Sequence, residues 1–249
     1  MKNLSIIIPT LNEEDYISAV LEGIARQQYP DKLQIIVVDG NSDDDTILKI
    51  ESYKNKIDDL EIIKSKERGV SLQRNLGASF AKYEHLLFMD ADVVLPDSFL
   101  VKLRKKIPKE DVVALVVHIP PRFNLLDYLW LGALYGFIFI VQWYRPICSG
   151  SFLLTTRSVH VKVGGFNERT VMGGDVIYGF DSVKKGGHYK LFFWPYVLGY
   201  PRRLRKEGRI VLLSKWLRGY LYMIRYGPIF KESNLHEYEF ANYSKEDKY

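Results

Sequence analysis

The chain has 249 residues, 47% of them hydrophobic and 26% charged, which is the balance of a folded protein and excludes a disordered or fibrous one. That length suits one large α/β domain, or one domain with a modest appendage. A net charge of +5 implies an anionic partner, whether a nucleotide phosphate, a membrane surface or nucleic acid, and the single Cys148 excludes an internal disulfide and fits a reducing compartment.

Met1 to Ser5 leads straight into a strand-like run with no charged segment ahead of an apolar one, so a cleavable signal peptide is not expected. Leu4 to Ile8 reads as a buried strand stopped by Pro9-Thr10. Asn12-Glu13-Glu14-Asp15 offers a cap and first-turn acids for a helix to about Gln28, with Ile17, Val20, Leu21 and Ile24 inward. Leu33 to Val38 is a second strand, ending in Asp39-Gly40-Asn41-Ser42-Asp43, and another helix follows. Leu60 to Ile63 is a third strand and Val70 to Lys82 a helix. Leu86 to Met89 is a strand that stops at Asp90-Ala91-Asp92. This alternation of strand and helix predicts a doubly wound, mostly parallel sheet flanked by helices. Open α/β sheets bind ligands outside the carboxyl ends of their strands, where Asp39, Asp90 and Asp92 fall. Two neighbouring carboxylates repel each other unless a cation compensates. They are either a metal site or loop acids capping the next helix. No G-x-G-x-x-G follows the first strand and no G-x-x-x-x-G-K-[ST] exists, which disfavours a dinucleotide fold and excludes a P-loop.

Four blocks then carry a resemblance: Ser5-Ile6-Ile7-Ile8-Pro9-Thr10-Leu11-Asn12-Glu13, Val37-Val38-Asp39-Gly40-Asn41-Ser42-Asp43, Arg74-Asn75-Leu76-Gly77 and Phe88-Met89-Asp90-Ala91-Asp92. In order and approximate spacing they resemble family 2 glycosyltransferases, and the likeness extends through Val163-Gly164-Gly165-Phe166-Asn167-Glu168 and Gly174-Asp175. The resemblance implies a GT-A fold and inverting transfer from a nucleotide-diphosphate sugar. It implies that Asp39 accepts a hydrogen bond from the base, with Pro9, Thr10 and Leu11 lining the same pocket. Leu11 stands where the family often has Tyr, so apolar contact would replace stacking, and uracil or guanine both remain open. Arg74 resembles the family arginine beside the nucleotide, Arg68 is a second candidate, and Glu13 and Ala91 complete this donor-binding set. Asp92 would ligate Mg²⁺ or Mn²⁺ bridging the phosphates, and Asp90 would face the ribose or share the metal.

Downstream, Pro96 to Lys106 reads as a helix with a basic surface and Val112 to Ile119 as a strand closed by Pro120-Pro121. From Tyr128 to Tyr144 no residue is charged and aromatics crowd the run. A buried helix, a helix lying in a membrane interface and a short membrane span are all open for this stretch. Ile147 to Leu154 reads as a strand in which Gly150 admits a close ligand, and Arg157 to Val163 as a short helix. By the resemblance, Gly165 lies below the donor sugar and Asp175 inherits the general-base role, although Gly174 stands where the family has Glu; Asp181 is the fallback. As a residue at a Gly-rich helix start, Asp175 also reads as an ordinary cap. Tyr189 to Phe193 is a last strand. Arg202 and Arg203, in Pro201-Arg202-Arg203-Leu204-Arg205-Lys206, resemble a family segment beside the diphosphate, where arginine suits forked hydrogen bonds. Arg209 to Arg225 is a basic amphipathic helix, and a polar tail follows. No histidine or cysteine spacing suggests zinc.

These readings divide the chain into a GT-A domain over 1–203, with a nucleotide-sugar half (1–95) and an acceptor half (96–203), and a C-terminal amphipathic segment over 204–249. The expected partners are a UDP- or GDP-sugar, a lipid-linked or glycan acceptor and an anionic membrane surface, with no nucleic acid. The expected place is the cytoplasm, at the inner face of the cell membrane. A sugar nucleotidyltransferase is the rival enzyme class, but Pro9-Thr10-Leu11-Asn12 is not its Gly-rich, basic loop. A non-enzymatic membrane or nucleic-acid adaptor would leave the four blocks unexplained.

Overall fold

A computed structural model describes residues 1–107, 111–118, 125–142 and 148–199, together with residues 208, 211, 214, 215, 218, 219, 222, 225, 229 and 230. The elements run β1 (Leu4–Thr10), α1 (Ile17–Ala25), β2 (Leu33–Asp39), α2 (Thr46–Glu51), β3 (Leu60–Lys64), α3 (Val70–Phe80), β4 (His85–Met89), β5 (Val93–Val94), α4 (Phe99–Lys106), β6 (Val112–His118), α5 (Leu125–Val141), β7 (Phe152–Thr156), α6 (Arg157–Val163), β8 (Thr170–Met172), α7 (Gly174–Lys184), β9 (His188–Gly199) and β10 (Ile229–Phe230). The main sheet has eight strands in the order β3-β2-β1-β4-β7-β6-β9-β5. β3, β2, β1 and β4 are parallel, as the strand–helix alternation predicts. β7 then runs antiparallel between β4 and β6, β9 returns parallel to β6, and β5 closes the far edge antiparallel to β9.

Side chains of one strand alternate between two cores. Ile6 and Ile8 meet α1, α2 and α4 on one face, where Ile17, Val20, Leu21 and Ile24 are all buried. Ile7, Ile36, Val38 and Phe88 meet α3, α6 and α7 on the other. Both faces are covered, which is why β1, β2 and β4 are runs of Ile, Val, Leu and Phe with no polar alternation. α3 lies close on the sheet because Gly77 has no side chain; a methyl there would collide with Ile7 and stand 3.0 Å from Val38 Cγ2. One buried polar pair interrupts this core, and it is satisfied. The Ser5 hydroxyl donates to Gln34 Oε1 (2.7 Å), while the Gln34 amide donates to Glu61 Oε1 and the Phe80 carbonyl.

Several elements differ from their sequence reading. α1 begins at Ile17 with no acid in its first turn, because Glu13 and Glu14 are tied instead to the β2–α2 loop: Thr46 Oγ1 accepts from the Glu13 N–H, and Glu14 Oε2 accepts from the Asp45 N–H. The strand expected from Ile147 begins only at Phe152, and residues 148–151 form a loop and turn. β9 is twelve residues long, far beyond the five read from the sequence. α5 is not the buried helix of one reading: Tyr128, Leu129, Phe137, Phe139 and Ile140 are exposed, Ile140 by 72%. Nor is any helix among the described residues long and apolar enough to cross a membrane. Pro120-Pro121, the Pro201 to Lys206 segment with Arg202 and Arg203, most of the amphipathic stretch and the polar tail lie outside the described residues.

Candidate active site

The register of the sheet aligns the strand ends. Thr10 is level with Asp39 across β1 and β2, and β4 ends one residue before Asp90. β1 pairs with β4 only as far as Ile7, so Pro9 sits where no ladder donor toward β4 is required. Asp90 to Val93 then forms a turn, with the Val93 N–H donating to the Asp90 carbonyl (3.2 Å). Neither carboxylate caps a helix: α4 starts at Phe99 with Ser98 as its N-cap residue. Ala91 is buried between them, while Asp90 and Asp92 are both half-buried.

Asp39 is 2% exposed and organises its own loop. Its Oδ2 accepts the Asn41 and Ser42 N–H groups (3.0 Å each) and its Oδ1 accepts the Ser42 hydroxyl (2.5 Å). The neighbouring β1–α1 loop is laced to it through Asn12, whose N–H donates to Ser42 Oγ and whose Oδ1 accepts the Asp43 N–H. Arg68 joins the same loop, donating to the Asn41 carbonyl (3.1 Å) and Asp43 Oδ2 (2.7 Å). Gln73, given no role in the sequence reading, is buried beneath. Its amide donates to the carbonyls of Thr10 (2.8 Å) and Val38 (2.7 Å), fastening α3 to the ends of β1 and β2. Pro9 and Thr10 are buried and Leu11 is half-buried beside this loop pair.

Arg74 stands at the centre. Its side chain is 7% exposed, and Nη2 donates to Asp90 Oδ1 at 2.8 Å. Its guanidinium carbon lies 5.3 Å from the Phe166 ring centre, a favourable cation–π placement. Asn75, also without an assigned role, pins the Gly164-Gly165-Phe166 loop. Its Nδ2 donates to the Phe166 carbonyl and Glu168 Oε1, and its Oδ1 accepts the Phe166 N–H, each at 2.8 Å. Gly165 must be glycine twice over: its φ is 78°, and a Cβ would fall 2.6 Å from Asn75 Oδ1. The spacing 71, 74, 75 on α3 was the available signal for this face, since residues three and four apart are helix neighbours.

Asp175 lies in the first turn of α7, where a carboxylate is favoured by the helix dipole. The cap position is Gly173, so Asp175 is not an ordinary cap; Oδ2 instead accepts the Gly150 N–H at 2.7 Å. Gly174 leaves ordinary van der Waals space toward Ser71 and Thr170. Asp181 is nearly two turns further along the helix, on the order of 9 Å away along its axis. Behind the site, Tyr178 stacks on Phe166 (4.2 Å, 15°) and its hydroxyl meets His160 Nδ1 at 3.1 Å. Burial, with the Arg157 charge nearby, pushes the His160 pKa down to about 4, and burial raises the Cys148 thiol. Cys148 packs against Gly179 and is a filler, not a nucleophile.

No group of three His, Cys, Asp or Glu side chains able to cage a metal occurs among the described residues. Two partly exposed carboxylates fit a different arrangement, in which a hard divalent cation takes its remaining ligands from substrate phosphates and water. The acidic pair therefore suits Mg²⁺ or Mn²⁺ only together with a phosphorylated ligand.

The family model for Glycosyl transferase family 2 matches residues 5–207. The chain belongs to that family. Among curated family 2 relatives, it is 34% identical over 94 residues to the poly(ribitol-phosphate) β-N-acetylglucosaminyltransferase TarS of Staphylococcus aureus, covering 37% of this chain and 16% of TarS. It is 31% identical over 115 residues to the poly-β-1,6-N-acetyl-D-glucosamine synthase of Staphylococcus epidermidis, covering 44% of this chain and 27% of the synthase. The matches thus span about a sixth to a quarter of these relatives' lengths. The fold is the GT-A fold of solved members. It superposes on the mannosyltransferase PcManGT of Pyrobaculum calidifontis in complex with GDP-Man and Mn²⁺ with a TM-score of 0.67, at 20% identity over 87% of this chain and 64% of that one. For S. aureus TarS residues 1–349 in complex with UDP-GlcNAc the TM-score is 0.62, at 20% identity over 78% of this chain and 57% of that one.

Proposed function

We propose that this chain is an inverting glycosyltransferase that moves a sugar from a UDP- or GDP-sugar to a hydroxyl of a lipid-linked or glycan acceptor. The observation that carries this reading is the pairing of two acidic groups around one buried arginine region: Asp90-Ala91-Asp92 at the end of β4, and Asp175 on α7 held toward the same Gly150–Arg74 wall. Asp39, Pro9, Thr10, Leu11, Glu13 and Arg68 hold the nucleoside, with Asp39 accepting the base N–H. Arg202 and Arg203 are assigned to the diphosphate by the family resemblance alone. Asp92 and Asp90 would hold Mg²⁺ or Mn²⁺, and a cation bound there would supply Lewis-acid chemistry that offsets charge on the departing diphosphate. Asp175 takes the proton of the acceptor hydroxyl while the acceptor oxygen attacks the anomeric carbon and the C1–O bond to the diphosphate breaks. One in-line displacement inverts the anomeric centre, as a single attack from the opposite face must.

The acceptor is placed at an anionic membrane surface on the cytoplasmic side. In support of this, α5 and the middle of β9 expose Leu129, Phe137, Ile140, Phe193 and Trp194 together with a basic α4. Such aromatic and basic combinations suit the lipid headgroup region. The decisive experiment is thermal unfolding with Mn²⁺ plus UDP, GDP or CDP, followed by turnover against a panel of nucleotide sugars. A diphosphate at 100 times its Kd adds about 2.7 kcal/mol, which raises the midpoint of a chain this size by about 5–10 °C. No shift with any diphosphate in folded protein rejects the proposal.

A further inference from the structure

Arg74 and Gly150 are held together in a way the family-based assignment does not use. Arg74 has three neighbours with different duties. Through Nη2 it grips Asp90, in the acidic pair. Its guanidinium lies beside Gly150, so closely that a Cβ at that position would lie 2.6 Å from Cζ and nearer still to both Nη atoms. Gly150 in turn gives its N–H to Asp175 Oδ2 at 2.7 Å. The third neighbour is the Phe166 ring at 5.3 Å, and Phe166 is stacked on Tyr178, one turn along α7 from Asp175. Two separate routes therefore run from one guanidinium to the element that carries Asp175. Arg74 keeps this place although its Nε is buried with no hydrogen-bond partner among the described residues, which is unfavourable for a charged donor. Gly150 is not at positive φ, so its backbone would accept a side chain. The three atoms nearest to such a Cβ all belong to the guanidinium.

We propose that Arg74 is a positioning residue that sets the donor-side carboxylate Asp90 and the acceptor-side base Asp175 relative to each other, and that Gly150 must be glycine because any side chain there evicts the guanidinium. This rests on Asp175 being the base, as proposed above. A misplacement of reacting groups by about 1 Å costs on the order of 10²-fold in rate, so geometry of this kind has a measurable consequence without any loss of fold.

The test compares wild type with Gly150→Ala, Arg74→Lys, Arg74→Ala and the double variant Gly150→Ala/Arg74→Lys. For each, kcat and KM are measured with the donor found in the nucleotide-sugar panel, and the Mn²⁺/UDP and Mn²⁺/GDP midpoint shifts are recorded. Gly150→Ala is expected to lose about 10²-fold in kcat and part of its diphosphate-dependent shift. Adding Arg74→Lys should recover at least several-fold of that kcat loss, because an ammonium on a thinner stem leaves room for the methyl and still faces Asp90. A merely structural role gives losses that multiply; rescue in the double variant is the signature of the wedge. Wild-type turnover in Gly150→Ala, or multiplied losses in the double variant, overturns the proposal. If Gly150→Ala fails to fold, Arg74→Ala decides in its place: wild-type kcat and midpoint shift in that variant overturn the proposal, and loss of both with partial retention in Arg74→Lys supports it. Asp175→Asn separates the two readings. Should it keep full turnover, the base assignment falls, and the diphosphate shift of Gly150→Ala and its rescue still decide whether Arg74 and Gly150 set Asp90.

Discussion

Single side chains in this site are mostly occupied with holding other parts of the chain, and that decides what substitutions do. Gln73 is the plainest case: it is buried and its amide serves two carbonyls at the ends of β1 and β2. Gln73→Leu keeps the volume and removes both bonds. It should destabilise the protein by about 1–3 kcal/mol and loosen the Asp39 loop, read as a lower urea midpoint and a smaller Mn²⁺/UDP or Mn²⁺/GDP thermal shift. Asp92→Asn is expected to abolish turnover in a protein that still unfolds cooperatively in urea, because it weakens the hold on a divalent cation and not the core. Full activity in that variant would remove Asp92 from the metal assignment. The acidic residues were legible as a pattern because strand ends of an α/β sheet are where ligands sit. Gln73 and Asn75 were not, and Gly150 was read only as a place where a ligand comes close, because their duties are contacts across 63, 91 and 25 positions of sequence, and no local spacing records those.

At the scale of elements, α3 is the joint of the molecule. One face, through Gln73 and Gly77, is locked to β1 and β2, and the other, through Arg74 and Asn75, holds the β4 turn and the Phe166 loop. The helix itself was readable from its periodicity, but which faces it presents depends on where β7 and α7 return. Asn75→Ala removes three hydrogen bonds to that loop, which is assigned to the donor sugar, and should raise the donor KM more than the acceptor KM, a split that steady-state kinetics with both substrates varied would reveal. The layer beneath responds to acid. His160 has a pKa near 4 in the fold and the ordinary value of about 6.5 when unfolded. The unfolded chain therefore binds the extra proton between those values, so stability falls as pH drops from 6.5 toward 4. The contribution is at most about 3 kcal/mol. His160→Phe should flatten the pH dependence of the urea midpoint across that window relative to wild type. An unchanged slope would show that His160 does not govern it.

The whole molecule has two unlike halves. The half built from β1, β2, β3 and β4 was legible throughout, since each strand is a short apolar run followed by a helix and then a parallel neighbour. The other half was not. β7 enters antiparallel between β4 and β6, β5 has only two residues, and β9 pairs with both β6 and β5 and packs on α4 and α7, the strand pairings all at long sequence separation. α5 is the sharpest case. It is apolar all round, which in a soluble setting marks a buried helix, yet Leu129 and Ile140 are 62% and 72% exposed. Its 17 residues extend for about 26 Å, short of the ~30 Å hydrocarbon layer, so lying along a membrane suits it better than crossing one. Phe139 approaches Phe193 at 6.0 Å, and Lys102 sits 5.0 Å over the Trp194 ring, so the apolar face continues onto β9 and meets the basic side of α4 with Lys105 and Lys106 exposed. Anionic lipid vesicles should therefore carry the protein upward in a flotation gradient, and zwitterionic vesicles should carry much less. Raising salt shortens the reach of the lysines and weakens the binding without abolishing it, because the aromatic contribution is not screened. Phe137→Ser combined with Ile140→Ser should abolish flotation and leave the Mn²⁺/UDP or Mn²⁺/GDP thermal shift intact, since neither residue touches the site. Flotation unaffected by that pair of changes would move the membrane contact elsewhere on the chain, and protein that stays at the bottom with anionic vesicles at low salt would reject it.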